Sequence, residues 1–265
     1  MPDLRVTTVQ SELAWEDPAA NLRMFDRKLD TLKGETDLVV LPEMFSTGFS
    51  MTPGRAAQTM ESDTVKWLGK KAAALDIHLV GSVMITEKGQ FYNRLMWAEP
   101  SGKLHTCDKR HLFRMAGEDK VYTGGNALLT VSLKGWNIRP FICYDLRFPA
   151  WTRNLNNVYD AAVFVANWPA KRAGHWRALL KARAIENLSY VIGVNRVGQD
   201  GNGLAYSGDS TVIDPVGNVL FDISDESAVR TVVLSRKILE KWRRDFPAWM
   251  DADHDIINLP ESGVS

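Results

Sequence analysis

A thiol becomes a nucleophile when a neighbouring group can take its proton, so the positions of the cysteines and acids come first. Cys143 ends the apolar run IRPFIC, and the chain behind it, YDLRFP, turns abruptly charged and is closed by Pro149. The thiol therefore stands at the end of a predicted strand, beside Asp145 and Arg147. Glu43 ends DLVVLP in the same way, Asn167 ends AAVFVA and Asn195 ends YVIGV. In α/β sheets ligands collect at the carboxyl ends of parallel strands, because the loops there converge on one crevice. An acid and a thiol so placed form a candidate base and nucleophile. Taken singly each is ordinary, since strands must end somewhere and most free cysteines are inert core residues. Cys107, in the less apolar LHTCDKR, reads as a structural thiol.

The proton acceptor has two kinds of candidate. Histidines stand at positions 78, 105, 111, 175 and 254, so a Cys–His pair is compatible with the composition. None is adjacent to Cys143, and no Gly-x-Cys-x-Gly elbow surrounds it, which brings the carboxylates forward. Lys109 lies in DKRHLFRMAGEDK, a charged segment that also holds Leu112, Phe113 and Met115. Apolar anchors in a charged loop suit an active-site loop, and a solvated turn is the plain alternative. No H-E-x-x-H, paired C-x-x-C or histidine cluster points to a metal. Neither a phosphate loop nor a glycine-rich dinucleotide turn is present, so no cofactor is implied.

The elements that must position these groups alternate. Strand-like runs begin at Arg5, Asp37, Ile77, Asn93, Ala127, Ile138, Ala161, Tyr190 and Ser210. Helical spacing of apolar residues appears over Asn21–Lys33 (Leu22, Phe25, Leu29, Leu32), Asp63–Leu75 and His175–Leu188, and a last helix is expected over Lys237–Phe246. Strands alternating with helices predict an α/β protein with helices over the sheet, and the IDPVGNVLF turn predicts some antiparallel pairing. Without a linker or low-complexity tract, residues 1–265 read as a single domain.

Composition narrows the function classes. Of the 265 residues, 45% are hydrophobic and 24% charged, the balance of an ordinary globular protein. Lys plus Arg and Asp plus Glu are 32 each, which leaves no electrostatic footprint for nucleic acid or an anionic membrane. No apolar run approaches the ~18 residues that a membrane span needs. No secretory leader is visible, and two cysteines are too few for a disulfide framework, so a cytoplasmic location is expected.

Three segments, in order, resemble the nitrilase superfamily of carbon–nitrogen hydrolases: LPEMFSTGF with Glu43, DKRHLF with Lys109 and ICYDLRFP with Cys143. The likeness runs from RVTTVQ to the STVIDPVGNVL hairpin. Glu118, in MAGEDK, matches a further glutamate of that family. Pro140 in RPFICYDLRFP, HLFRM after the lysine, and NWPAKRAGHWRALLKARAIEN look most like the omega-amidase group. Ala150 stands where a glutamate is common, and Cys-Asp precedes Lys109 where an aromatic is common.

The resemblance implies an α-β-β-α sandwich of two mixed sheets between helix layers, and a homodimer or higher homo-oligomer. It implies that Cys143 attacks a small-molecule amide with Glu43 as base, Lys109 and the Tyr144 backbone N–H holding the oxyanion, and Glu118 orienting the lysine. Arg147, Phe113, Asn167 and Trp168 are the candidate substrate-binding residues. Arg147 reads equally as an ion-pair partner of Asp145, and Trp168 as plain core. A nitrilase, an N-carbamoyl amino-acid hydrolase or a catalytically silent binding member would carry the same three motifs.

Overall fold

The computed structural model describes residues 2–253 and residue 257. Among these, the strands fall into two sheets. The first runs in the spatial order β13 (Ala228–Leu234), β1 (Leu4–Gln10), β2 (Leu38–Val40), β3 (His78–Glu87), β4 (Gln90–Ala98) and β5 (Leu104–Asp108). The second runs β10 (Val197–Gln199), β11 (Ala205–Ile213), β9 (Tyr190–Val194), β8 (Ala161–Val165), β7 (Trp136–Ile142) and β6 (Val131–Leu133), with β12 (Val219–Ser224) also on β11. The centre of each sheet is parallel, β1–β2–β3 in one and β7–β8–β9 in the other, and the flanks are antiparallel. The helices are α1 (Pro18–Leu29), the single turn α2 (Pro53–Ala56), α3 (Asp63–Leu75), the turn α4 (Pro149–Thr152), α5 (Ala173–Asn187) and α6 (Arg236–Asp245).

The layering follows from side chains that alternate along each strand. Val39 and Leu41 pack with Phe25 and Leu29 of α1 and Leu68 and Ala72 of α3. Their neighbours Leu38 and Val40 point the other way, into one cluster with Ile138, Val163, Phe164 and Val191 of the second sheet. A strand covered on both faces must be apolar throughout, which is why DLVVLP carries no polar alternation. On the far side of the second sheet Trp176, Leu180 and Ala184 of α5 join the same cluster. Gly193 of β9 is small for that reason: a Cβ there would lie 2.5 Å from Leu180 and 3.0 Å from Trp176. The result is helix, sheet, sheet, helix, the fold class expected.

The differences from the expected elements are local. Helix α1 starts earlier than Asn21, because Pro18 takes its first turn and the Asp17 side chain accepts the Ala20 N–H at 2.9 Å; it ends at Leu29 rather than Lys33. Ala127–Leu129 lie outside any strand and Thr130 makes only a single bridge, so β6 is Val131–Leu133. The edge strands β5, β10 and β13 went unread. Each has partly exposed positions on at least one face, so none shows a continuous apolar run.

Candidate active site

The carboxyl ends of the two parallel centres meet, and the strand-end residues meet there with them. Glu43 lies three residues beyond β2, in a loop pinned to β3. Leu41 N–H donates to the Val80 carbonyl at 2.8 Å, Met44 N–H to Ser82 Oγ at 2.8 Å, and Phe45 N–H to the Ser82 carbonyl at 3.1 Å. The approach is close enough to require glycine at position 81, where a Cβ would sit 2.9 Å from the Phe45 ring and 3.0 Å from Leu41.

Lys109 follows β5 directly, and its Nζ donates to Glu43 Oε1 at 2.8 Å and to both Glu118 oxygens at 3.0 and 2.9 Å. All three side chains are fully buried. The Lys109 ammonium also sits 5.1 Å over the Phe49 ring. Glu118 is fixed from its own loop by the Phe113 N–H, 2.6 Å from Oε2. Burial works against the Lys109 charge, yet the adjacent Glu118 and Glu43 outweigh it and hold the ammonium pKa above its ordinary value. Burial raises the Glu118 carboxyl, with Lys109 opposing and Glu43 adding to the rise. Two carboxylates around one ammonium leave room in the cluster for one more proton.

Cys143 follows β7 directly and opens a short helical turn, Cys143–Arg147. Its φ of 45° lies in the left-handed region, which costs a non-glycine residue about 1–2 kcal/mol. That geometry turns the thiol out of the strand line and beside the Glu43 carboxylate, whose charge it feels. Burial, and then the Glu43 charge, push the thiol well above the ordinary cysteine pKa, while Lys109 pulls the other way and loses. Tyr144 is the second residue of the turn, where a helical N–H has no partner within the turn.

Lys109 and Cys143 both line a cavity of about 210 Å³, together with Phe113, Tyr144, Arg147, Asn167 and Trp168. Glu43 and Glu118 stand behind it. The Asn167 N–H donates to Glu43 Oε2 at 2.8 Å and its Nδ2 to the Glu43 carbonyl at 2.6 Å. That fixes the amide's orientation and leaves Asn167 Oδ1, buried, without a partner among the described residues. Asn195 braces the same loop, its Oδ1 accepting the Trp168 N–H at 2.8 Å and its Nδ2 donating to the Trp168 carbonyl at 2.9 Å. The Trp168 indole N–H is taken by the Arg172 carbonyl at 2.9 Å, so this ring offers a substrate only its surface.

Arg147 lies 4.9 Å over the Trp168 ring and donates to His175 Nδ1 at 3.0 Å. The expected alternative, an ion pair with Asp145, is not formed, and among the described residues Arg147 has no carboxylate partner. Asp145 is occupied elsewhere, by His111 and the Ile142 N–H.

Two residues of this site escaped the sequence reading. Asn93, within β4, donates from Nδ2 to Glu43 Oε1 at 2.8 Å and reaches Glu118 Oε1 at 3.5 Å. Arg172 also lines the cavity, 5.3 Å over the Phe113 ring and without an ion pair among the described residues. One expectation needs correction. Met115 is 72% exposed rather than an anchor of the Lys109 loop. Of the two kinds of proton acceptor left open, the carboxylate of Glu43 stands beside the Cys143 thiol; His254 lies outside the described residues. Cys107 sits on β5 opposite Leu95, away from this cavity.

The sequence profile of the carbon–nitrogen hydrolase family matches residues 5–244. The omega-amidase YafV of Escherichia coli strain K12 is 50% identical over 254 residues, covering 96% of this chain and 98% of its own. The 2-oxoglutaramate amidase of Bacillus subtilis strain 168 is 29% identical, over 95% and 98% of the two chains. Among solved structures, XC1258 from Xanthomonas campestris, a CN-hydrolase superfamily protein with an arsenic adduct in its active site, superposes with a TM-score of 0.95 at 44% identity. That match covers 97% of this chain and all of the other.

Proposed function

The chain belongs to the carbon–nitrogen hydrolase family, in the omega-amidase group of the nitrilase superfamily, and from that premise we propose how it cleaves an amide and which amide it cleaves. Glu43 takes the thiol proton as Cys143 attacks the amide carbonyl. The oxyanion forms between the Lys109 ammonium and the Tyr144 N–H, where preset donors each contribute on the order of 10²–10³ in rate. Glu43 returns the proton to the departing ammonia, leaving a thioester on Cys143, and then activates the water that hydrolyses it. Glu118 and Asn93 keep the lysine and Glu43 in register. The observation that carries this reading is the shared cavity: a thiol beside a carboxylate and an ammonium held by two carboxylates open onto the same space.

The substrate is read from what else lines that space. Arg147 and Arg172 bring two guanidiniums without carboxylate partners among the described residues, whereas Asp200 already accepts the Tyr206 hydroxyl at 3.0 Å and the backbone N–H groups of Asn202 and Leu204. A small acid bearing a terminal amide fits this arrangement, such as 2-oxoglutaramate or 2-oxosuccinamate. Phe113 and Trp168 would flank its chain.

An ammonia-release screen across acid amides, uncharged amides, nitriles and N-carbamoyl acids tests the reading. It predicts turnover concentrated on the acid amides; preference for nitriles or N-carbamoyl acids would reject it. Arg147→Ala should lower kcat/KM on an acid amide by about 10- to 100-fold, the worth of a charge-assisted hydrogen bond of about 1.5–3 kcal/mol. Uncharged amides should be nearly unaffected. Equal losses on both would make Arg147 structural.

We propose a homo-oligomer for this chain, as its resemblance to the nitrilase superfamily implies. The absence, among the described residues, of any helix long and apolar enough to cross a membrane fits an enzyme acting on a dissolved small molecule.

A further inference from the structure

We propose that Asp145 is a positioning residue that locks the nucleophile's turn to the loop carrying the oxyanion-binding lysine. Its carboxylate is buried and accepts from both sides of the site. Oδ2 takes the Ile142 N–H at 3.1 Å, the residue directly before Cys143. Oδ1 takes the His111 N–H at 3.0 Å and His111 Nδ1 at 2.8 Å, two residues after Lys109. The His111 ring is in turn stacked on Phe148 at 3.7 Å between centroids, with an interplanar angle of 8°. Phe148 ends the turn that Cys143 begins, its N–H donating to the Asp145 carbonyl at 3.0 Å. One side chain thus ties the thiol, at the start of the second sheet's active turn, to a loop that leaves the first sheet.

The chemistry of the three donors explains why the residue is an acid. Ile142 N–H, His111 N–H and the imidazole Nδ1–H all need an acceptor, and only a carboxylate presents two oxygens with no hydrogen of its own. Because Asp145 can only accept, Nδ1 is the protonated nitrogen of His111. An asparagine of the same shape would turn an NH₂ group towards one of the two sides, and that side would let go. A glutamate would be too long to keep Ile142 and His111 at these distances. The thiol and Lys109 must face the same carbonyl carbon and oxygen, and a displacement of the order of 1 Å between reacting groups can cost about 10²-fold in rate.

The inference rests on Cys143 being the nucleophile, so its test includes a probe that needs no particular amide. In Asp145→Asn, kcat on an acid amide should fall by about 10- to 100-fold. KM should stay within about twofold, because neither the guanidiniums nor the aromatic walls are touched. Alkylation of Cys143 by iodoacetamide, followed by peptide mass mapping, should slow in parallel, while Cys107 is unaffected. The partly exposed His111→Ala removes one of the three ties, that of the imidazole, together with the stacking on Phe148, leaves the backbone N–H bond in place, and should produce a smaller loss of the same kind. On that background Asp145→Asn should cost less than it does alone, the non-additivity of partners in one network. A lowered melting temperature with kcat and Cys143 alkylation unchanged well below it would overturn the proposal, as would fully multiplicative losses in the double variant. If instead Cys143→Ala keeps its activity, the nucleophile assignment fails and not merely this tie.

Discussion

Replacing Cys143 with alanine is expected to lower ammonia release from an acid amide by roughly 10⁴- to 10⁶-fold, the scale on which deleting a covalent nucleophile acts. No other group in the cavity can form the acyl intermediate. Lys109 is held as an ammonium by Glu118 and Glu43 and has no lone pair to offer. Cys107→Ala should keep most of the activity, because that thiol lies on β5 outside the cavity and is itself pushed to higher pKa by burial. The reverse pattern, with Cys107 essential and Cys143 dispensable, would remove the basis of the mechanism. Binding separates chemistry from misfolding: the Cys143 variant should still take up an acid amide, since Arg147, Asn167 and Trp168 remain.

Glu43→Gln should cost on the order of 10²- to 10⁴-fold in kcat, the usual worth of general acid–base catalysis. Both carboxylate oxygens of Glu43 accept hydrogen bonds, Oε1 from Asn93 and Lys109 and Oε2 from the Asn167 N–H. A glutamine therefore loses the base and also faces an NH₂ group against a donor. The pH profile identifies the lost role. Burial and the Glu43 charge both raise the thiol pKa, so in the variant the proton must leave to solvent. Removing that charge lowers the thiol pKa somewhat, but burial, the larger cause, remains. The residual rate should climb as pH rises past neutrality into the alkaline range, where the wild-type enzyme, with its internal base, shows no matching climb. Parallel profiles for the two proteins would contradict the assignment of Glu43 as base.

How much of this was legible before the structure depended on whether a residue's surroundings are local in sequence. Glu43 and Cys143 announce themselves because an apolar strand buried on both faces ends abruptly at each. Asp63–Leu75 is a helix over those residues because Ser62 caps it and the apolar spacing never breaks. Lys109 and Glu118 gave no such local sign. They sit in a segment where other charges, among them Arg114 and Lys120, face solvent, and nothing in residue type says which lysine is buried. Only the family likeness singled them out.

Asn93 was passed over inside a run read for its apolar residues, and its role exists only because Glu43 and Glu118 arrive from distant loops. Asp145 was considered as a partner for its near neighbour Arg147. The structure instead spends it on His111, 34 positions away in sequence. The edge strands failed for the related reason that half-exposed strands carry no continuous apolar signature.

The account stands or falls on an acyl group passing through the Cys143 sulfur. The direct measurement uses an activated ester of the same acid, whose good leaving group makes hydrolysis of the intermediate the slower step. Enzyme quenched in acid during turnover and mapped by peptide mass should carry the acyl group on the peptide containing Cys143, and the adduct should vanish once the ester is exhausted. Turnover with that peptide unmodified, or with the acyl group on Cys107, would contradict it.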